Sequence, residues 1–301
     1  MKKAIEIKNL HKYYGKFHAL NDVSMNIYEG DIYGLIGKNG AGKTTLFKQI
    51  LGLSNYQEGH ISILNSTDVN SLRDSRQHVG FFINSTFFPY LTAKENLEYF
   101  RILKGIEDEN EVQRVLEIVE LANVKKTYKS FSMGMKQRLG IANAIMGNPK
   151  IVILDEPING LDPQGIVDVR NLIQRLNKEF NMTLIVSSHI LNELGLIANR
   201  FGMIDNGVLL TEITAEELFD LKDALVVKTD TYQALEKLIH ETDGLEIISG
   251  NEINELNIKG VEDSSWFIKY CLKSDIDIKE VYYHKNSLED FYFSLTEGGI
   301  R

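Results

Sequence analysis

The chain is short of the residues that staple secreted domains and of those that break regular structure: one cysteine, four prolines and one tryptophan in 301 residues. A lone Cys271 excludes an internal disulfide and fits a reducing compartment; within Trp266-Phe267-Ile268-Lys269-Tyr270-Cys271-Leu272 it reads as a core residue. No apolar run approaches the ~20 residues needed to span a bilayer. Met1-Lys2-Lys3 leads into Ala4-Ile5-Glu6-Ile7-Lys8, which alternates like a strand and lacks the apolar block of a leader peptide. A cytoplasmic chain is therefore expected. Positive charge is also in deficit, with 33 Lys and Arg against 42 Asp and Glu and a net charge of −9, so no nucleic-acid partner is expected. What remains, 43% hydrophobic and 25% charged, suits a globular protein of about two domains.

Residues 37–45 read GKNGAGKTT. They follow the apolar run 31–36 and precede the helix-compatible 46–51, which places G-x-x-x-x-G-K-[ST] at a strand-to-helix turn. Gly37, Lys38, Asn39, Gly40, Ala41 and Gly42 form the loop, whose main-chain N–H groups and following helix N-terminus suit phosphates. Lys43 can reach the β- and γ-phosphates, the Thr44 hydroxyl can hold Mg²⁺, and Thr45 completes the loop. A second constellation ends the apolar run Ile151-Val152-Ile153-Leu154, which reads as a strand buried on both faces. Asp155 and Glu156 stand at its carboxyl end, where parallel sheets bind ligands. Asp155 suits Mg²⁺, and Glu156 suits polarising the water that attacks the γ-phosphate. Ile185-Val186-Ser187-Ser188-His189 is a third buried strand ending in a polar residue able to bond a γ-phosphate oxygen; taken alone, His189 reads as structural.

Over residues 1–220 strand-like and helix-like segments alternate. Strands are predicted at 4–7, 23–27, 31–36, 61–64, 79–83, 151–154, 183–187 and 201–204, and Asn206-Gly207 signals a hairpin. Between about 85 and 148 the period turns helical, at 93–103, 109–122 and 135–146, giving a helical insert that suits partner contacts.

These motifs together resemble the nucleotide-binding subunit of an ATP-binding cassette (ABC) transporter. Tyr14, in Lys12-Tyr13-Tyr14-Gly15, is similar to the family's adenine-stacking aromatic, and GKNGAGKTT to its Walker A loop. Phe131-Ser132-Met133-Gly134-Met135 resembles the signature, ILDEP the Walker B strand, Gly160-Leu161-Asp162 the D-loop, and His189 the switch histidine. The wording MGMKQRLGIA and the stretch 84–92 look most like the bacitracin- and lantibiotic-immunity exporters. The resemblance implies an α/β P-loop NTPase core of the ABC cassette type, with antiparallel β and helical subdomains. It also implies ATP and Mg²⁺ as ligands, with Lys43, Glu156 and His189 as the catalytic set. ATP would lie between two cassettes packed head to tail, with Ser132 and Gly134 reaching nucleotide held by the other copy and Asp162 linking the sites. A separate transmembrane permease would hold the chain peripherally at the inner face of the membrane. The sequence departs from the family pattern at Asn84, where Gln usually contacts the metal, and at Met133, Met135 and Ile158; because Lys43, both acids and His189 remain, active hydrolysis is expected. Alternatives are a soluble ABC ATPase working on a macromolecular complex, or an importer ATPase.

With the cassette placed at 1–221, residues 222–301 form a second domain. Their order of strand (225–228), helix (232–240), strand (245–248), strand (255–258), helix (264–273), strand (278–283) and helix (288–296) resembles a small α+β, ferredoxin-like module, with Ser287 expected to cap the last helix.

Overall fold

A computed structural model of the chain describes residues 2–83, 86–220, 224–249, 254–261, 263–284 and 288–297. The chain divides into two compact units, Met1–Ala215 and Glu216–Arg301. The division falls a little before the boundary expected from the sequence.

The first unit is built on a six-stranded sheet in the order Val79–Phe82, Ile151–Asp155, Thr183–Ser188, Ile32–Ile36, Arg200–Asp205, Val208–Thr214. The first five strands are parallel, and Val208–Thr214 returns antiparallel beside Arg200–Asp205 through Asn206-Gly207. Ile32–Ile36, Ile151–Leu154 and Thr183–Ser188 are buried throughout, as strands in the middle of a parallel sheet covered on both faces are. The register sets Ile36 beside Ser188 and Asp155 beside Ser187, so three neighbouring strands end together. A second, antiparallel sheet, in the order Phe17–Tyr28, Lys3–Tyr14, Glu58–Ile63, alternates buried and exposed residues and shares one hydrophobic core with the first.

The helical insert comprises Ala93–Leu103, Glu111–Ile118 and Met133–Ile145. Thr92 and Glu95 form a capping box at the start of the first of these. Met133–Ile145 lies directly on Val79–Phe82: a Cβ on Gly80 would stand 1.9 Å from the Ala144 carbonyl oxygen, and one on Gly140 2.3 Å from the Phe82 ring. Glycine is thus what lets helix and strand touch. Val69–Arg76 and Pro163–Phe180 are additional helices that the sequence reading did not place.

In the second unit, four antiparallel strands are ordered Glu246–Ser249, Glu255–Lys259, Ala224–Lys228, Glu280–His284. With helices Tyr232–His240 and Ser264–Lys273 this is the split β-α-β arrangement of a ferredoxin-like module. Leu225, Val227, Leu235, Ile239, Leu256, Ile258, Phe267 and Cys271 make its core. Burial pushes the Cys271 thiol up to about 11, so it acts as a small hydrophobe. Ser287 lies outside the described residues.

Candidate functional site

The loop between Ile32–Ile36 and the helix Lys43–Ile50 closes under two constraints. Gly40 and Gly42 take φ of +86° and +112°, which side-chain-bearing residues rarely adopt, and a Cβ on Gly37 would stand 2.4 Å from the Ile204 carbonyl oxygen. The loop, Asp155 and Glu156 line a cleft of about 170 Å³, closed on another side by Phe17 and Ala19.

Lys43 is 6% exposed, and its ammonium donates to the Gly37 carbonyl at 2.5 Å and the Lys38 carbonyl at 3.3 Å. It also lies 3.1 Å from Glu156 Oε1, at ion-pair distance. That oxygen finds no hydrogen-bond partner, so the two groups are close without being aligned. The Thr44 hydroxyl donates to Asp155 Oδ2 at 2.6 Å. His189 Nδ1 lies 2.8 Å from Glu156 Oε2. The sequence-predicted residues Lys43, Thr44, Asp155, Glu156 and His189 thus come together, although their sequence positions span 43 to 189. An ammonium, a hydroxyl paired with a carboxylate, and a second carboxylate backed by an imidazole can hold a phosphate chain and its metal and accept a proton from water. The glycine cradle, which a Cβ would fill, and the acid-paired hydroxyl are donors that fit a nucleotide with Mg²⁺.

One residue of this set was not singled out in the sequence. Ser187 is fully buried, donates to Asp155 Oδ1 at 2.6 Å and accepts the main-chain N–H of Glu156 at 2.9 Å. Glu156 itself has φ of +52°, a strained conformation for a residue with a side chain, and Ser187 is what holds it. The signal available was a polar residue that follows the apolar stretch Leu184-Ile185-Val186 near the end of the strand, level with Asp155 on the neighbouring strand.

Tyr14 does not line the cleft. It is 48% exposed at the end of Lys3–Tyr14, with the Lys12 ammonium 4.7 Å from its ring centre, whereas Phe17, 65% exposed, faces the loop. Asn84 lies outside the described residues.

Ser132, Gly134 and Asp162 belong to a different place. They line a second cleft, of about 380 Å³, with Met133, Arg138, Gly160 and Gly165 among their neighbours. Ser132 caps the helix Met133–Ile145 through the Met135 N–H at 3.3 Å, and Asp162 caps Pro163–Phe180 through the Gly165 N–H at 3.2 Å. Both helix N-termini therefore border this cleft, favouring anionic groups there. Met133, in place of a small residue, is 51% exposed. Ile158 is buried, which accounts for an apolar residue at that position.

The family model described as ABC transporter matches residues 20–159. The bacitracin transport ATP-binding protein BcrA of Bacillus licheniformis is 35% identical, with 99% of each chain covered. The lantibiotic transport ATP-binding protein SrtF of Streptococcus pyogenes is 41% identical over 69% of this chain and 90% of its own. Among solved structures, a dimeric ATP-binding cassette in a post-hydrolysis state bound to ADP and Pi shares 28% identity and a TM-score of 0.63, covering 70% of this chain and 98% of that one. With its cradle, its two acids and near-full-length relatives in agreement, this chain belongs to the ABC transporter family as an ATP-binding, ATP-hydrolysing cassette.

Proposed function

We propose that the chain is the energy-supplying subunit of an exporter of antimicrobial peptides or similar drugs, working as a head-to-tail pair of cassettes attached to a separate permease. The single observation that carries the paired arrangement is the split of the predicted site into two clefts on one chain. Lys43, Thr44, Asp155 and Glu156 belong to one, Ser132, Gly134 and Asp162 to the other. A second copy would bring its Ser132–Gly134 segment to the nucleotide cradled by the first. The dimeric solved cassette supports this reading.

In the proposed reaction the loop N–H groups and Lys43 hold the phosphates. Thr44 and Asp155 would hold Mg²⁺, with Asn84 assigned beside them by resemblance; the ion, when bound, neutralises phosphate charge. Glu156 takes a proton from the water whose oxygen bonds to the γ-phosphorus as the bond to the β-phosphate oxygen breaks, and ADP leaves. His189 orients Glu156, and Phe17 or Tyr14 supports the base. Asp162, at the edge of the second cleft, is assigned to linking the two sites.

Among the described residues no helix is long and apolar enough to cross a membrane, so a permease is a separate chain in this reading. Tyr90, Tyr99, Ile102 and Leu103, exposed on or beside the helical insert, supply an apolar surface for it, on the inner face of the membrane. The BcrA and SrtF relatives support peptide export. Co-purification of the tagged chain with a permease, in cells whose bacitracin tolerance rises only when both are expressed, tests the assignment; tolerance unchanged by the pair contradicts it.

A further inference from the structure

We propose that Arg170 and Glu193 are positioning residues for His189, their ion pair holding the imidazole on Glu156 from the helix that also borders the second cleft. The inference rests on the roles given to Glu156 and His189 above.

His189 is the first residue beyond the strand Thr183–Ser188, whose pairing with its neighbours ends at Ser187 and Ser188. Its Nδ1 lies 2.8 Å from Glu156 Oε2, so the segment that follows the strand has to hold the ring in place. The chain turns there, with the Ile190 N–H donating to the Ser188 hydroxyl at 2.9 Å, and enters the helix Leu191–Gly195. Five residues are far short of the roughly 12–15 that an isolated helix needs, so this one exists only through its contacts.

Those contacts have two sources. Leu194 is 1% exposed and fills the space that Gly34 leaves open: a Cβ on Gly34 would stand 2.7 Å from Leu194 Cδ2. Apolar packing of this kind is non-directional and fixes how deep the helix lies more than how it is turned. The direction comes from Pro163–Phe180. Arg170 Nη1 donates to Glu193 Oε2 at 3.1 Å, and the Gln174 amide donates to the Leu196 carbonyl at 3.2 Å. A charge-assisted hydrogen bond has a set geometry that a packed leucine lacks. The two side chains of the pair are 23% and 27% exposed, so salt screens them less than it would a surface pair.

Arg170 and Gln174 are four residues apart and share one face of their helix. The same helix is capped by Asp162, and Asp162, Gly165 and Asp168 line the second cleft. Its first turns thus belong to the second cleft and its next turns grip the His189 segment of the first. Neither Arg170 nor Glu193 lines either cleft, so the pair reaches the chemistry only through His189 and Glu156.

The test is kcat at saturating ATP, the dissociation constant for ATP-Mg and the denaturant midpoint of the full chain. It is made on Arg170→Gln, on Glu193→Gln, and on the exchanged pair in which Arg170→Glu and Glu193→Arg are combined. Each single variant is expected to lose roughly five- to tenfold in kcat, since a small misplacement of a catalytic group away from its working geometry is costly. The dissociation constant and the midpoint should stay close to those of the wild type. The exchanged pair should recover most of the lost rate, which a side chain serving only to fill space would not allow. Should Arg170→Gln fold poorly, Glu193→Gln, which keeps the shape and removes the charge, carries the same comparison. A kcat for Glu193→Gln within about twofold of the wild type, an exchanged pair no faster than the single variants, or a dissociation constant that rises in step with the loss of kcat overturns the proposal. A wild type no faster than Glu156→Gln would instead overturn the roles given to Glu156 and His189.

Discussion

Replacing Ser187 by alanine should slow ATP turnover far more than it weakens ATP binding. The Ser187 hydroxyl makes two buried hydrogen bonds, to Asp155 Oδ1 at 2.6 Å and from the Glu156 N–H at 2.9 Å, and neither partner belongs to the phosphate loop. Losing a hydrogen bond to a carboxylate costs about 1.5–3 kcal/mol, and leaving a buried N–H without a partner about 1–3 kcal/mol. Together these come to roughly 3–5 kcal/mol, shared between global stability and the local hold on Glu156. Glu156 has the more to lose, because its φ of +52° is maintained against its own preference. If half of the energy appears in the transition state, kcat falls about 10–100-fold, each 1.4 kcal/mol being a factor of ten. Steady-state phosphate release against ATP concentration, beside a denaturant titration, separates the two shares. Ser187→Thr, which keeps the hydroxyl, should recover part of the rate. A Ser187→Ala protein with kcat within twofold of the wild type would refute the claim that this serine sets the carboxylate.

Phe17→Ala should raise the dissociation constant for ATP roughly tenfold, since stacking on a base is worth about 1–3 kcal/mol. Tyr14→Ala should do less, because only Phe17 lines the cleft; fluorescence titration of both variants decides it, and a larger effect at Tyr14 reverses the assignment. Lys104 predicts a pH effect on stability. Its stem is exposed, but its ammonium donates to the Asn143 carbonyl and is crowded by protein, and burial lowers its pKa to about 8. The folded chain gives up this proton earlier than the unfolded one, so Lys104 contributes stability that rises as pH goes from about 8 towards the ordinary lysine value near 10.4. Denaturant midpoints at pH 7, 8, 9 and 10 should show this rise in the wild type and less of it in Lys104→Met; identical slopes would exclude Lys104 as its source.

Much of the site was legible because its residues are tied to special backbone. The phosphate loop carries glycines that need a positive φ, as at Gly40 and Gly42, or leave no room for a Cβ, as at Gly37, and Asp155-Glu156 follows four apolar residues that read as a buried strand. The split β-α-β order of the second unit was likewise visible in its periodicity. What escaped depended on register or on contacts distant in sequence. Ser187 earns its role from pairing beside Asp155, which no local pattern reports. Tyr14 and Phe17 are register partners across a hairpin, so their rings share a face of the sheet, and only their placement in three dimensions decides which ring meets the cleft. Val69–Arg76, rich in Asn, Ser, Asp and Arg, carries a weak apolar stripe, and its start is set by the Asp68 cap rather than by periodicity. Gly80 and Gly140 show how close the signature helix lies to the sheet, a distance that composition does not express.

The central claim is that Glu156 of one cassette acts in a site completed by a second. It is tested most directly by comparing the wild type with Glu156→Gln for ATP turnover, together with molecular mass in the presence of ATP-Mg. The account predicts wild-type activity that rises more than linearly with protein concentration, and a variant that hydrolyses no ATP yet accumulates as an ATP-dependent dimer. A variant that turns over ATP at the wild-type rate, or wild-type activity strictly proportional to concentration from a chain that stays monomeric, would contradict it.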